Sequence, residues 1–340
     1  MTRRTVLAAL TAAAAAPAQP ERIRVALIGG GHSHAFAKAK ILRDSTDWEL
    51  AGIAEDDARI LEKYTAIGIG KLSVQGVLGD SSVKVVAVES AVRDHQKHAR
   101  MALEAGKHVH VEKPPADTMN GMRQLIHLAK EKNLLLQSGY MWRYHPGMNA
   151  VLEAARQGWL GDVYLVRGQI NTLIEPRRRP EWSEFAGGHM FELCSHLIDA
   201  TTRLLGRPVK VTPFLRHDAS LTDNLKDNTV AVFEYPKAMA IIHGATMQPG
   251  SGGHRMFEVQ GTNGTATVRP IEPPGVTIEL ANAAGPYSKG KQRLPMAEYK
   301  RYAGDLAELA AAVRGQKKLS VSLEEEMLVG ETVLRASGMA

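Results

Sequence analysis

Short apolar segments alternate with amphipathic segments of helical periodicity between residues 22 and 138. The apolar segments are rich in β-branched residues, which is typical of buried parallel strands. Because each helix must carry the chain back across the sheet, this alternation predicts a doubly wound parallel sheet of the Rossmann type. The predicted strands span residues 23–28, 50–54, 83–88, 109–111 and 134–137, and the predicted helices span 35–43, 58–66, 94–105 and 119–132.

The pattern changes after residue 146, where longer strands with alternating apolar and polar residues begin. Such alternation predicts a mostly antiparallel sheet with one buried and one open face. We therefore predict an α/β chain with a Rossmann domain at residues 20–141 and an α+β domain with a large open sheet at residues 142–340. The predicted strands are 163–171, 209–216, 229–235, 239–246, 256–260 and 266–269, and the predicted helices are 147–157, 190–205, 299–314 and 323–336.

The first residues show the features of an export signal in the right order. Arg3 and Arg4 form a twin arginine, an apolar run follows at residues 6–16, and Ala16-Pro17-Ala18 offers a small-x-small cleavage site. The run is shorter than the roughly 20 apolar residues that cross a bilayer. We predict a twin-arginine signal peptide at residues 1–18, export to the periplasm or beyond, and no membrane span. The alternatives are an upstream start codon, so that these residues are not part of the protein, or a frayed alanine-rich helix.

Charge and cysteine content exclude several classes of protein. The formal net charge is +6, or 6 − 2 = +4 without the twin arginine, and the charges are scattered, so nucleic-acid binding is not indicated. The densest basic run, at residues 177–179, lies between two prolines and reads as a solvated loop or an anion site. Cys194 is the single cysteine, which excludes an intramolecular disulfide and a cysteine-rich zinc site.

A glycine-rich turn follows the first predicted strand, in the stretch "RVALIGGGHSHAFAKAKIL". Gly29 and Gly31 allow backbone N–H groups to approach a pyrophosphate at the start of the next helix. The third glycine of the dinucleotide-binding pattern is replaced by His34. Glu55 follows the second strand, 55 − 31 = 24 residues after Gly31. A carboxylate there accepts hydrogen bonds from a ribose and repels a 2′-phosphate, so NAD is favoured over NADP.

The stretch "HVHVEKPPA" places Glu112 and Lys113 at the end of the predicted strand 109–111. In an open parallel sheet, ligands bind beyond the carboxyl ends of the strands. Pro114 and Pro115 stop the strand and restrain its exit. Lys113 would point toward the nicotinamide half of a cofactor, where desolvation can suit a lysine to proton transfer. An ordinary surface lysine before a turn is the alternative.

A second cluster lies in "GGHMFELCSHLID", where His189, Glu192 and His196 share one face of the predicted helix. A carboxylate one turn before a histidine can orient the imidazole and set its proton affinity. The three side chains could also hold a metal ion or form the polar face of a half-exposed helix. We predict no metal site, since the other histidine pair, His32 and His34, offers too few ligands.

Several of these motifs resemble the Gfo/Idh/MocA family, named after glucose–fructose oxidoreductase, inositol dehydrogenase and a rhizopine-catabolism protein. The stretch "ALEAGKHVHVEKP" is similar to the family's lysine motif, and "VAVESAVRDHQKHA" resembles the segment before it, although Ser90-Ala91 stands where Thr-Pro is usual. "GYMWRYHP" resembles the crossover into the second domain. "GGHMFELCSHLIDATTRLLGRP" resembles the family's glycine-rich helix, with Glu192 in place of Asp.

The resemblance implies a Rossmann domain and a second domain that binds substrate and forms oligomers, commonly a homodimer or homotetramer. It places the catalytic lysine at Lys113 and the catalytic histidine at His196, with Glu192 as its carboxylate, one methylene longer than usual. Arg143 and Tyr144 would line the substrate, or else form a domain-packing pair. The implied cofactor-binding residues are Gly29, Gly31, His32, Glu55, Ser90, His95, Glu112 and Lys113, and the implied substrate-binding residues are Arg143, Tyr144, His189 and His196.

Members of this family mostly move a hydride between a nicotinamide and a sugar or cyclitol carbon. We therefore predict an NAD-dependent oxidoreductase acting on a hydroxyl of a small sugar, cyclitol or glycoside. Free NAD is scarce outside the cytoplasm, so an exported enzyme would have to keep its cofactor and restore it in every cycle. An NAD-dependent glycosidase with a redox-neutral cycle is the alternative, and a binding protein without turnover remains a third reading, because fold alone does not give function.

Overall fold

The structure, a computed structural model, describes residues 21–340, so the predicted signal peptide lies outside the described residues. The first domain contains a six-stranded parallel sheet in the order β3-β2-β1-β4-β5-β6, which confirms the predicted Rossmann sheet. Its strands are β1 (Ile23–Ile28), β2 (Trp48–Ala54), β3 (Lys71–Leu72), β4 (Val85–Val88), β5 (His108–Val111) and β6 (Leu136–Ser138). Its helices are α1 (Ala35–Asp44), α2 (Ala58–Thr65), α3 (Val74–Gly79), α4 (His95–Glu104) and α5 (Met119–Glu131).

The second domain contains an eight-stranded sheet in the order β14-β13-β12-β11-β7-β10-β9-β8, antiparallel except where β7 meets β10. This confirms the predicted open, mostly antiparallel sheet. Its strands are β7 (Val163–Gln169), β8 (Lys210–Arg216), β9 (Asn228–Glu234), β10 (Met239–Ala245), β11 (Met256–Gly261), β12 (Gly264–Val268), β13 (Val276–Leu280) and β14 (Gly290–Leu294). Its helices are α6 (Pro146–Arg156), α7 (Arg179–Ser183), α8 (Gly188–Glu192), α9 (Ser195–Leu205), α10 (Ala303–Val313) and α11 (Leu323–Ala336).

Alternating burial along the strands of the second sheet turns one face toward the core. In β9, for example, Thr229, Ala231 and Phe233 are buried, while the residues between them are half-buried. The buried face packs on α6, α9 and α11, which supply apolar residues to the same core. The sequence prediction missed β13, which shows this alternation, and β14, whose polar edge sequence "GKQRL" carries almost no apolar signal.

The predicted helix over residues 190–205 is interrupted at Leu193 and Cys194, which separate α8 from α9. The reason lies at Glu192, whose backbone carbonyl accepts hydrogen bonds from Lys113 Nζ at 2.7 Å and Ser195 Oγ at 3.1 Å. A carbonyl bonded to side chains in this way is withdrawn from the helical hydrogen-bond ladder.

The two C-terminal helices join the domains. Leu306 and Leu309 of α10 belong to the apolar core under the first sheet, and α11 packs against both α5 and α9. The predicted helix over residues 299–314 begins only at Ala303, because Tyr302 adopts a left-handed backbone conformation with φ of 64°. None of the helices within residues 21–340 combines the length and the apolar character needed to cross a membrane.

Candidate active site

The glycine turn after β1 packs tightly against the loop after β4. Gly29 has φ of 79°, and a Cβ atom there would lie 2.4 Å from Cα of Ser90, so only glycine fits. The Gly30 amide donates to Glu55 Oε2 at 2.8 Å, which holds the carboxylate at the carboxyl end of β2. The glycine turn and the Glu55 carboxylate thus lie side by side, an arrangement suited to the pyrophosphate and ribose of a dinucleotide.

His95 ties the loops after β4 and β5 together. Its ring is fully buried, with Nδ1 2.8 Å from the Pro114 carbonyl oxygen and Nε2 3.0 Å from the Ser90 carbonyl oxygen. Burial lowers the pKa of His95, so the neutral ring donates to one of the two carbonyls. His95 therefore positions Ser90 and the exit from Lys113 through their backbones.

Lys113 lies at the carboxyl end of β5 and reaches across to the second domain. Its side chain is 2% exposed, and Nζ donates to the Glu192 carboxylate at 2.9 Å and to the Glu192 carbonyl at 2.7 Å. A charge-assisted pair of this kind holds the ammonium in one orientation despite its burial. Lys113 and Glu192, both assigned to the site by the resemblance, are therefore in direct contact, a pairing that the sequence did not predict.

His196 lies in the first turn of α9, and aromatic rings rather than a carboxylate contact it. Its ring lies 5.0 Å from that of Trp142 and 5.9 Å from that of Tyr140, between centroids. Burial and then the charge of Lys113 lower the pKa of His196 well below its ordinary value, so the imidazole is neutral at pH 7. Among residues 21–340, its buried Nδ1 finds no hydrogen-bond partner.

The expectation that Glu192 orients His196 is wrong. Glu192 pairs with Lys113, and the chain interruption at Leu193 and Cys194 takes Glu192 and His196 off a common helical face. Sequence spacing alone assumed an unbroken helix, whereas the carbonyl contact of Lys113 breaks it.

Beneath the site lies a buried charge cluster that sequence analysis missed. Lys38 of α1 is fully buried and contacts Glu89 Oε1 at 3.0 Å, His110 Nε2 at 2.6 Å and the Glu112 carboxylate. Burial would raise the pKa of Glu112, but Lys38 and His34 hold it well below its ordinary value, so Glu112 is ionised. Burial raises the pKa of Glu89 to about 8 in spite of Lys38, so Glu89 is mostly protonated at pH 7.

His32 and His34 gather around the same carboxylate. His34 Nδ1 lies 3.1 Å from Glu112 Oε1, and His32 Nδ1 lies 3.7 Å from Glu112 Oε2. These three groups offer ligand atoms within 4.8 Å of one another, the residue types of a metal site. The Lys38 ammonium already balances the charge of Glu112. The structure thus makes His34 a partner of Glu112, which its position in the glycine motif did not indicate.

Three of the predicted substrate residues are engaged elsewhere. Arg143 is buried and pairs with Asp199 at 2.9 Å and Glu326 at 2.6 Å, and Tyr144 donates to a carboxylate of α10 at 2.6 Å. These contacts match the domain-packing alternative. His189 is buried with Nε2 2.8 Å from the Ile170 carbonyl oxygen. Their side chains support the walls of the site, whereas Tyr140 and Trp142, from the same segment, contact His196 directly.

Residues 174–186 form a segment of the second domain that we call the strap. It faces the glycine turn across a cavity of about 210 Å³. The glycine turn and the loop after β4 line one side of this cavity. The strap and Glu192, whose carboxylate pairs with Lys113, line the other side. Its lining comprises Gly31, His32, Ser33, Ile60, Ala91, Val92, Arg93, Arg178, Glu181, Trp182, Glu184, Phe185 and Glu192.

Comparison with known proteins identifies both domains. Residues 23–140 match a family model described as the Gfo/Idh/MocA oxidoreductase family, NAD-binding Rossmann fold, and residues 148–267 match the C-terminal domain of the same family. The two matches together span well over half of the chain. The first domain is thus an NAD-binding Rossmann domain.

Curated relatives include dehydrogenases and reductases of sugars and cyclitols. D-glucoside 3-dehydrogenase of Escherichia coli is 32% identical over 55% of this chain and 55% of that protein. The 1,5-anhydro-D-fructose reductase of Ensifer adhaerens is 27% identical over 80% of this chain and 84% of that protein. The NADP(+)-dependent scyllo-inositol 2-dehydrogenase of Bacillus subtilis is 24% identical over 68% and 65%.

Solved structures share the fold over nearly the full length. GenD2 from gentamicin A biosynthesis, crystallised with NAD, has a TM-score of 0.79 and 23% identity, with 97% of each chain covered. UDP-N-acetylglucosamine 3-dehydrogenase from Acidithiobacillus ferrooxidans has a TM-score of 0.77 and 20% identity, covering 94% of this chain and 98% of that one.

Proposed function

The chain belongs to the Gfo/Idh/MocA family of oxidoreductases, and on that basis we propose that it oxidises a hydroxyl of a sugar, cyclitol or glycoside with tightly held NAD. The observation that carries this proposal is the convergence of Lys113, Glu192 and His196 beside the glycine turn. These groups meet at the carboxyl edge of the parallel sheet, where doubly wound folds bind their ligands.

The chemistry follows from the neutral imidazole of His196 and from the pairing of Lys113 with Glu192. A bound NAD would supply the acceptor for the hydride of the substrate's carbinol carbon. The neutral His196 imidazole can accept the hydroxyl proton through a lone pair. Its buried Nδ1 has no hydrogen-bond partner among residues 21–340 and is therefore free to bind a ligand. The Lys113 ammonium, held by Glu192, donates to the same oxygen and stabilises the negative charge that develops there.

NAD is favoured over NADP by the carboxylate at the end of β2. Glu55 Oε2 accepts from Gly30 and Oε1 accepts from the Asp57 amide at 2.9 Å, so both oxygens are held at the ribose position. A fixed carboxylate there repels a 2′-phosphate.

Export through the twin-arginine route would make the cofactor captive. The support is the order of features in residues 1–18. Replacing Arg3 and Arg4 together by Lys should leave the protein in the cytoplasmic fraction of a bacterial host, while the parent reaches the periplasm. Equal fractionation of both forms would refute the export proposal.

The first experiment tests whether the cofactor stays bound during purification. A protein of residues 21–340 is purified without added nucleotide and denatured, and the released NAD and NADH are measured by mass spectrometry. Near-stoichiometric NAD is expected if the cofactor is captive. Nucleotide-free protein that binds NAD weakly would contradict tight retention.

A substrate panel then tests the reaction class. Glucosides, 1,5-anhydro sugars and inositols should change the nicotinamide absorbance of the bound cofactor in a single turnover, since relatives act on such compounds. Lys113→Met should abolish this change while NAD remains bound. Release of an aglycone without net redox change would instead identify the glycosidase alternative. A parent that binds NAD but reduces none of it with any compound would favour a binding protein.

A further inference from the structure

We propose that Arg178 of the strap binds the pyrophosphate of NAD, so that the second domain helps to retain the cofactor. The inference rests on the proposed function, because it assumes NAD on the glycine turn. The sequence allowed two interpretations of the basic run at residues 177–179, a solvated loop or an anion site. The inference assigns anion binding to one arginine of that run.

The strap is anchored firmly to its own domain. Arg179 is 3% exposed at its side chain and pairs with Asp223 at 2.5 Å and with Asp227 at 2.8 Å. Trp182 packs in a small apolar cluster with Ile174, and its ring lies 5.4 Å from that of His189. A segment fixed at two points in this way can present a side chain in a defined position.

The strap also contacts the first domain. Arg93, in the turn after β4, pairs with Glu184 through two bonds of 2.7 and 2.9 Å. Both side chains are partly exposed, so this pair contributes little stability. It can therefore open without a large cost when a ligand enters.

The three arginines of the run have different surroundings. Arg179 is buried in its ion pairs, and Arg177 is 82% exposed and pairs with Glu175 at 2.6 Å. Arg178 instead lines the same cavity as Gly31 and the residues that follow it. Its partner there is Glu181 at 3.4 Å, a long and partly exposed contact. The position of Arg178 thus leaves its guanidinium available to an anion on the glycine turn.

The chemistry of this cavity suits a pyrophosphate. A guanidinium donates parallel hydrogen bonds to phosphate oxygens, and the glycine turn before α1 lines the same space from the other domain. The cavity of about 210 Å³ is smaller than the roughly 300–1,000 Å³ of pockets for comparable ligands, so it must widen when NAD binds, and the exposed pair between Arg93 and Glu184 is the contact that opens while the strap keeps its anchors in the second domain. Arg178 would then reach the phosphates from its position on the anchored strap.

The test measures binding rather than turnover. Parent, Arg178→Gln and the matched control Arg177→Gln are stripped of nucleotide and titrated calorimetrically with NAD, ADP-ribose and adenosine. Arg178→Gln should weaken NAD and ADP-ribose roughly 10- to 100-fold, as expected for a lost charge-assisted hydrogen bond, and should leave adenosine unchanged. Arg177→Gln should bind all three like the parent. Glu181→Gln should tighten NAD and ADP-ribose, because it removes the competing carboxylate.

The outcomes separate the two proposals. If the parent itself does not bind NAD, the proposed function fails. If the parent binds NAD and Arg178→Gln binds it equally well, the assignment of Arg178 fails while the proposed function stands. A uniform loss of affinity for adenosine as well would mean that the substitution disturbs the fold, and would also overturn the assignment.

Discussion

Replacing Lys38 by Met should destabilise the first domain strongly, although Lys38 lies outside the predicted reacting groups. Its ammonium is fully buried and contacts Glu89, His110 and Glu112. At pH 7 Glu112 carries the negative charge and Glu89 is mostly protonated, since its pKa is raised to about 8. Met keeps the length of the side chain but leaves the Glu112 carboxylate buried without its cation.

Removing one partner of a buried ion pair costs about 3–5 kcal/mol, because the other charge stays desolvated. For a domain of this size, that corresponds to a fall in melting temperature of roughly 6 to 20 °C. Removing the Glu112 carboxylate instead of the Lys38 ammonium should lower the free energy of unfolding by less. In Glu112→Gln, Glu89 can ionise and pair with Lys38 in place of the lost carboxylate, since both lie within reach of the same ammonium.

The assay is thermal unfolding of parent, Lys38→Met, Glu112→Gln and the double variant, followed by circular dichroism at pH 7. The double variant should recover most of the loss, because it contains neither an unpaired ammonium nor an unpaired Glu112 carboxylate. The reasoning would be refuted if Lys38→Met melted within ~2 °C of the parent, or if the double variant were as unstable as Lys38→Met.

Two further predictions concern the same half of the molecule. Glu89 has a folded pKa of about 8 against an ordinary 4.5, so its contribution to stability is present below pH 4.5 and is lost as the pH rises to about 8. The melting temperature of Glu89→Gln should therefore rise relative to that of the parent as the pH increases from 5 to 8. A difference between the two melting temperatures that stays constant over this range would contradict the prediction. Gly29→Ala should destabilise the fold and abolish NAD binding, because its Cβ would meet Ser90 at 2.4 Å. The control Gly68→Ala, at a φ of 82° but with no atom within 4 Å, should lose only about 1–2 kcal/mol from backbone strain and should still bind NAD.

The sequence anticipated features that depend on local order along the chain. Strand–helix alternation identified the parallel sheet, and the strand end at Lys113 indicated the edge of that sheet where the candidate site lies. Periodicity also indicated the second sheet, although it missed β14, where edge exposure makes the residues polar. These features are visible in sequence because burial imposes a period of two on strands and about 3.6 on helices.

Other features were decided only by packing between distant segments. Lys38 meets Glu89 across 51 positions and Glu112 across 74, and Lys113 meets Glu192 across 79. A charged residue in a helix pattern normally indicates a solvent-facing position, yet Lys38 is buried because two carboxylates converge on it in the folded chain. No spacing rule contains that information.

Tertiary structure therefore determined which partner each reacting side chain has. The sequence identified Lys113, Glu192 and His196 as candidate site residues. Lys113 contacts the backbone carbonyl of Glu192, where the helix is interrupted, and the Glu192 carboxylate pairs with Lys113. His196 instead packs against Trp142. The sequence by itself determined the sheet, the glycine turn and the residue types at the site, because these follow from local burial and backbone geometry. Which charges pair and which arginine lines the cavity beside the glycine turn depended on the desolvation and packing of side chains that only the folded chain brings together.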